Sequence, residues 1–223
     1  MTQKDFRVMP FSFRDIMPAA DVAFGCWHTE LAGHTEKFKR FIYKSLVRYY
    51  FRNPRFSFSN KKDRRPAGNH SAADELSADA GVRFRTLASF LLGACKTDAA
   101  AADDFLNPPA SFSPRERTAA KDYHLYLETN GRRMKQLMRE DDAYIGLFAG
   151  CVPGTGSVLR KTFENACTEN NIRRVFLWTD ETCNIDYYHK NGFFVAADFP
   201  SEFCVNGNRL KTLVFQKNLD DSV

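Results

Sequence analysis

No apolar run in this 223-residue chain approaches the roughly 20 residues that a membrane-crossing helix needs, so no membrane role is expected. Cysteine occurs six times, at 26, 95, 151, 167, 183 and 204, but never as C-x-x-C and never near a histidine at metal-ligand spacing. That pattern argues against a structural zinc site, and no metal is expected. A chain this long and apolar does not need disulfide staples, so reduced thiols and a cytoplasmic setting are expected. Basic residues form no long block beyond Lys61, Lys62, Arg64 and Arg65, which read as a solvated loop, and the formal charge is only +5. That excess suits an anionic small molecule as well as it suits nucleic acid, and with the basic cluster read as a solvated loop a nucleic-acid partner is not expected. The opening MTQKDFRVMPF has no secretory apolar core and reads as the start of a mature protein.

What the chain does have is core-forming material. Hydrophobic residues make up 43% and aromatics 14%, with 21 phenylalanines, which suffices for one folded domain spanning 1–223. Within it, residues 57–80 are polar, charged and poor in large apolar groups, and read as a long loop or insertion.

Periodicity supplies the elements. Phe6 to Met9 reads as a short strand, and Asp15 to Thr29 as a helix with Pro18 in its first turn. Thr35 to Tyr50 repeats Phe38, Phe41, Ile42, Leu46, Val47 and Tyr50 at three- and four-residue steps, a second helix. Val82 to Cys95 contains one or two central strands, with Gly93 at a bend or bulge. Ser113-Pro114-Arg115-Glu116 is a helix start: a capping Ser, Pro at the first position and Glu three residues on. Gly131 interrupts the following pattern and suggests two helices there. After Tyr144 come a strand, a helix over Ser157 to Glu169, a strand over Val175 to Thr179, a short helix over Asn184 to Lys190, and strands from Phe193 and over Leu210 to Gln216. Asn206-Gly207 is a hairpin-type turn between the last two. Strands with interspersed helices indicate α/β or α+β class with a mixed sheet.

Two groups of residues carry chemistry. The first is Pro153-Gly154-Thr155-Gly156-Ser157, between an apolar strand and a helix. Glycines there let the backbone approach an anion, and the first helical N–H groups point at its charge. A nucleotide-binding P-loop would need Gly-Lys-Ser/Thr, and a dinucleotide site would need glycine at Leu159, so a short backbone cradle for a diphosphate remains. The second group is Asn184, Tyr187 and Tyr188 on a short helix after the next strand. The Asn184 amide can hold a cofactor amide or a main-chain group. A tyrosine hydroxyl, with an ordinary pKa near 10, can protonate a departing thiolate. Each group has a plainer alternative, a simple turn and a pair of packing tyrosines. One helix and one strand separate them, a single crossover, so both come to one end of neighbouring strands, where open α/β sheets bind ligands.

With those residues in view, 144–216 resembles the GNAT superfamily of N-acetyltransferases. Cys151-Val152-Pro153-Gly154-Thr155-Gly156 takes the place of that family's Gln/Arg-x-x-Gly-x-Gly/Ala loop, with Cys at the first position. Tyr188-His189-Lys190-Asn191-Gly192-Phe193 matches its Tyr-x-x-x-Gly-Phe segment. The resemblance implies a mixed, mostly antiparallel central sheet flanked by helices. It implies acetyl-CoA as cofactor, bound by Cys151, Val152, Gly154, Thr155, Gly156, Ser157, Asn184 and Tyr187; where the short loop departs from the family's, Arg160 and Lys161 are other groups available to hold it. It implies Tyr188 as the acid that protonates the coenzyme thiolate. The partner implied is a small-molecule or peptide amine acceptor, with the chain a monomer or homodimer. The strand YIGLFAGC carries no glutamate that could serve as base, and the Gly loop is short. A catalytically inactive protein of the same fold that binds a ligand or partner is therefore the alternative.

Overall fold

The computed structural model describes residues 6–27, 31–62, 86–98, 104–205 and 208–219. In chain order the elements are β1 (Phe6–Pro10), α1 (Ile16–Trp27), α2 (Glu36–Tyr50), β2 (Ser57–Lys62), β3 (Thr86–Cys95), α3 (Pro114–Leu137), β4 (Ala143–Gly150), α4 (Thr155–Glu169), β5 (Arg174–Asp180), α5 (Ile185–Lys190), β6 (Phe194–Val205) and β7 (Asn208–Asn218). The strands form one sheet in the order β1-β2-β3-β4-β5-β7-β6. Its neighbours are antiparallel except β4 and β5, which run parallel. The expected mixed, mostly antiparallel sheet flanked by helices is the one observed.

Two apolar layers hold the helices to the sheet. Side chains of α1, α2 and α3 pack with Tyr144, Leu147 and Phe176 on one face. On the other, Leu159, Phe163 and Cys167 of α4 pack with Ala143, Ile145, Val175 and Phe215. Ala143 and Ile145 face one side and Tyr144 the other, the strand period, until the extra residue Gly146 breaks the alternation and puts Leu147 on the side of Tyr144.

The helix signals read from sequence are realised as hydrogen bonds. Thr35 Oγ1 accepts from Phe38 N–H at 3.3 Å to start α2. Ser113 Oγ accepts from Glu116 N–H at 3.2 Å, and the Glu116 carboxylate accepts from Ser113 N–H at 3.0 Å, closing a capping box at α3. The Thr35 hydroxyl also donates to Glu116 at 2.6 Å, joining the two helix starts. That bond, followed by those from Ser113, lowers the Glu116 pKa to about 2.

Three expectations change. Residues 57–62 are not loop but strand β2, held between β1 and β3. Its polar side chains hid it, yet Ser57 and Lys61 find partners. Ser57 Oγ donates to the Asn53 carbonyl at 2.8 Å. Lys61, read as solvated, is 8% exposed and pairs with Asp15 at 2.6 Å. The remainder of that polar segment, 63–80, lies outside the described residues, as do the first residues of the strand reading over Val82 to Cys95 (82–85) and the Asn206-Gly207 turn. Gly131 does not divide its helix, and α3 runs unbroken for 24 residues. A single glycine costs a helix interior about 1 kcal/mol, which the packed face of α3 outweighs. Finally, α4 begins at Thr155, two residues before the expected start.

Among the described residues, no helix is long and apolar enough to cross a membrane, and no group of three or more His, Cys, Asp or Glu is placed to hold a metal ion.

Candidate functional site

The sheet opens between its parallel strands. β4 and β5 pair only from Ala143↔Val175 to Ile145↔Leu177. Beyond that rung each strand continues, to Gly150 and Asp180, without its neighbour. The cause is visible on the β3 side. Leu92 pairs with Leu147 but Gly93 pairs with Ile145, so Gly146 is skipped and β4 carries a bulge there. Only glycine fits at that position, because a Cβ would stand 2.3 Å from the ring of Tyr50. Sequence reasoning had not singled out Gly146. A lone glycine in an apolar strand run was the available signal.

The glycine turn caps the open end of β4. Gly154 has φ +82°, a left-handed conformation that turns the chain into α4. Thr155 is buried, and its hydroxyl donates to the Val152 carbonyl at 2.7 Å, which closes the turn. Cys151 is fixed from below, its N–H donating to the Ala88 carbonyl at 3.0 Å. Among the described residues, no side chain caps α4. Its first N–H groups, with the positive end of a 15-residue helix dipole behind them, face away from the helix toward whatever lies beyond the turn. A Cβ at Gly156 would meet the Phe148 ring at 3.0 Å, so Phe148, on the opened part of β4, lies directly against the turn.

The short helix after β5 faces the turn across the opening. Asn184 is its N-cap, and its side-chain oxygen accepts from Tyr187 N–H at 3.2 Å. Gly192, at φ +81°, terminates it. Phe193 N–H then returns to the Tyr188 carbonyl at 3.1 Å. The Tyr-x-x-x-Gly-Phe spacing is thus one helical turn plus its glycine stop. Tyr187 places its ring 6.0 Å from that of Phe148, and its hydroxyl is buried with no hydrogen-bond partner among the described residues. Tyr188 packs 5.3 Å from Phe215 and 6.0 Å from Phe193. Phe215 pairs with Leu177, so the Tyr188 phenol sits over the last rung before the strands part. Burial, and then Cys183 and Tyr187, push its pKa up, which keeps it protonated at neutral pH.

Arg160, expected to offer a coenzyme contact, is turned inward. It is 6% exposed, and Glu164 takes its guanidinium at 2.5 Å while also pairing with Lys217 at 2.9 Å. Lys161 is on the exposed side of α4. Asp142, near the start of β4, is bound to Arg174 at the opposite end from the opening.

On the other face of the same rung lies a cavity of about 270 Å³ between the end of α2, the second half of α3, and Tyr144 and Trp178 of the sheet. Its α3 wall carries Glu128 and Lys135, which sequence reasoning missed because they read as ordinary polar positions on an amphipathic helix.

No family model matches the chain, and no curated protein matches it in sequence. Solved structures do match in fold. Ard1 from Thermoplasma volcanium superposes with a TM-score of 0.50 at 15% identity, covering 96% of this chain and 97% of that one. A GCN5-related N-acetyltransferase from Kribbella flavida gives 0.52 at 10% identity, covering 97% and 99%. The C-terminal condensation domain of Ebony, solved with beta-alanyl-dopamine, gives 0.56 at 8% identity, covering 96% and 98%. The parted parallel pair, the glycine turn at a helix start and the coverage of nearly the whole chain agree: this chain has the fold of the GNAT superfamily of N-acetyltransferases.

Proposed function

We propose that the chain is an acetyl-CoA-dependent N-acetyltransferase that passes the acetyl group directly to an amine. The observation that carries this is the parting of β4 from β5 after Ile145 and Leu177, beside the uncapped start of α4. The chain's groups fit the coenzyme. The backbone amides of Gly156 and Ser157, with the Ser157 hydroxyl, suit its diphosphate. Cys151, Val152, Gly154 and Thr155 shape the turn that presents them. The buried, unpartnered Tyr187 hydroxyl suits a polar group of its pantetheine arm. Asn184 acts through the helix cap it makes.

Bound there, the coenzyme supplies an acetyl thioester. A neutral amine forms the new C–N bond as the C–S bond breaks. The backbone at the Gly146 bulge, skipped by the β3 ladder, offers an N–H to the carbonyl oxygen as charge develops. Tyr188 gives its proton to the departing sulfur, and the proton lost by the amine returns to the phenolate through water. No covalent enzyme intermediate is required. Measuring thiol release from acetyl-CoA over a panel of amines tests the proposal. Release that depends on both amine and Tyr188 supports it, and no release with any amine counts against it.

A non-catalytic binding protein of the same fold is the second reading. The contact of Phe148 with Tyr187 across the opening favours it, as does a turn of only four residues between β4 and α4. Coenzyme binding without turnover would select it.

A further inference from the structure

The cavity beneath α3 is lined by charges of both signs that form no ion pair with one another among the described residues. Lys135 is half-buried, with its ammonium 5.2 Å over the Tyr144 ring, and among the described residues it makes no ion pair. Burial lowers its pKa, and the Arg52 guanidinium lowers it further. Arg52 stacks on the Tyr49 ring at 4.7 Å and donates to the Tyr49 carbonyl, again with no carboxylate. Glu128 accepts the Tyr49 hydroxyl through one oxygen, and among the described residues no cation pairs with it. Arg132 and Asp98 complete the charged lining, Asp98 accepting from the Cys95 N–H at 2.6 Å and from Asn53 at 2.9 Å. Cations and carboxylates set apart on an aromatic wall, without ion pairs to one another among the described residues, are costly to desolvate without a partner.

We infer that this cavity is the acceptor pocket and that its substrate is a zwitterionic amine, an amino acid with an aromatic or apolar side chain. The carboxylate lies on Lys135 and Arg52, the ammonium faces Glu128 and gives a proton to water before it attacks as the neutral amine, and the side chain fills the aromatic walls. The inference rests on the acetyl-transfer proposal and adds its substrate class. Position supports it. Tyr144 and Trp178 flank the Ile145–Leu177 rung, so the cavity reaches the point where β4 and β5 part, on the face opposite Tyr188. The helix that walls it, α3, joins two strands that pair with each other directly, so the sheet itself does not require it. Gly131 also fits. It lines the cavity, a Cβ there would meet nothing within 4 Å, and glycine is a poor helix residue kept at an open position.

Calorimetry with L-phenylalanine, phenethylamine and 3-phenylpropanoate tests this, alongside thiol release with each amine. Phenylalanine should bind at least about tenfold tighter than either fragment. Lys135→Met should weaken phenylalanine and phenylpropanoate about tenfold and leave phenethylamine unchanged. Gly131→Leu should block all three while the melting temperature holds, because the leucine fills open space. Equal affinity for phenethylamine and phenylalanine, or indifference to Lys135→Met, overturns the proposal. So does an absence of phenylalanine binding in a protein that acetylates some other amine, which leaves the transferase proposal standing. Phenylalanine binding with no thiol release from any amine overturns the acceptor role together with the transferase proposal.

Discussion

A methyl group at Gly146 would stand 2.3 Å from Cδ1 of Tyr50. The aromatic end of α2 therefore presses on the strand at the bulge that parts β4 from β5. Gly146→Ala should force the ring or the strand aside. We expect a loss of about 1–3 kcal/mol in urea unfolding, typical of overpacking, and a fall in transfer rate that exceeds any change in coenzyme affinity. Unchanged stability and rate would show that the ring moves freely and that the bulge is not fixed by it.

Tyr188→Phe removes the phenolic proton and keeps the ring that packs on Phe193 and Phe215. Turnover should drop about a hundredfold or more, with melting temperature and coenzyme affinity unchanged. A matching loss of stability would mark the hydroxyl as structural.

Gly154→Val puts a β-branched residue at φ +82°. The strain costs about 1–2 kcal/mol. The donor KM should rise about tenfold or more as the α4 amides turn away from the diphosphate. An unchanged KM would take the turn out of the coenzyme site.

Much of this was legible beforehand. The capping box at Ser113, the cap at Thr35 and the period of α2 are local rules, and each is realised as read. The order of turn, helix, strand and tyrosine segment after Tyr144 is also local, and it pointed to the fold. Strand β2 was hidden because its buried positions Ser57, Ser59, Asn60 and Lys61 are polar, and what covers them is distant in sequence: β1 and β3 on either side and, for Lys61, Asp15. The cavity was hidden for the same reason. Glu128 and Lys135 lie two turns apart on a polar face, and nothing local reveals that Tyr144 and Trp178 close the other side.

Lys61 and Asp15 form an almost buried pair, and Asp15 also accepts from the N–H of Ser12 at 2.8 Å. Lys61→Met should cost about 3 kcal/mol or more in chemical unfolding, because the carboxylate is left without its cation. A neutral result would mean that water reaches Asp15.

Glu116 gives a pH signature. Its folded pKa, about 2, lies below the ordinary carboxylate value, so its contribution to stability is present above that ordinary value and is lost as pH falls toward 2. Glu116→Ala should lower the melting temperature by a few degrees at neutral pH, and the gap from the unaltered chain should narrow from about pH 4 downward. A gap constant to pH 2 would mean that the carboxylate charge is not what the cap uses.

The most direct test of the central claim is calorimetric titration of the chain, and of Gly154→Val, with coenzyme A. The unaltered chain should bind one equivalent, with the variant at least about tenfold weaker. No binding at about 1 mM coenzyme, or equal binding by both proteins, would contradict the claim that the start of α4 and the parted strands form the donor site.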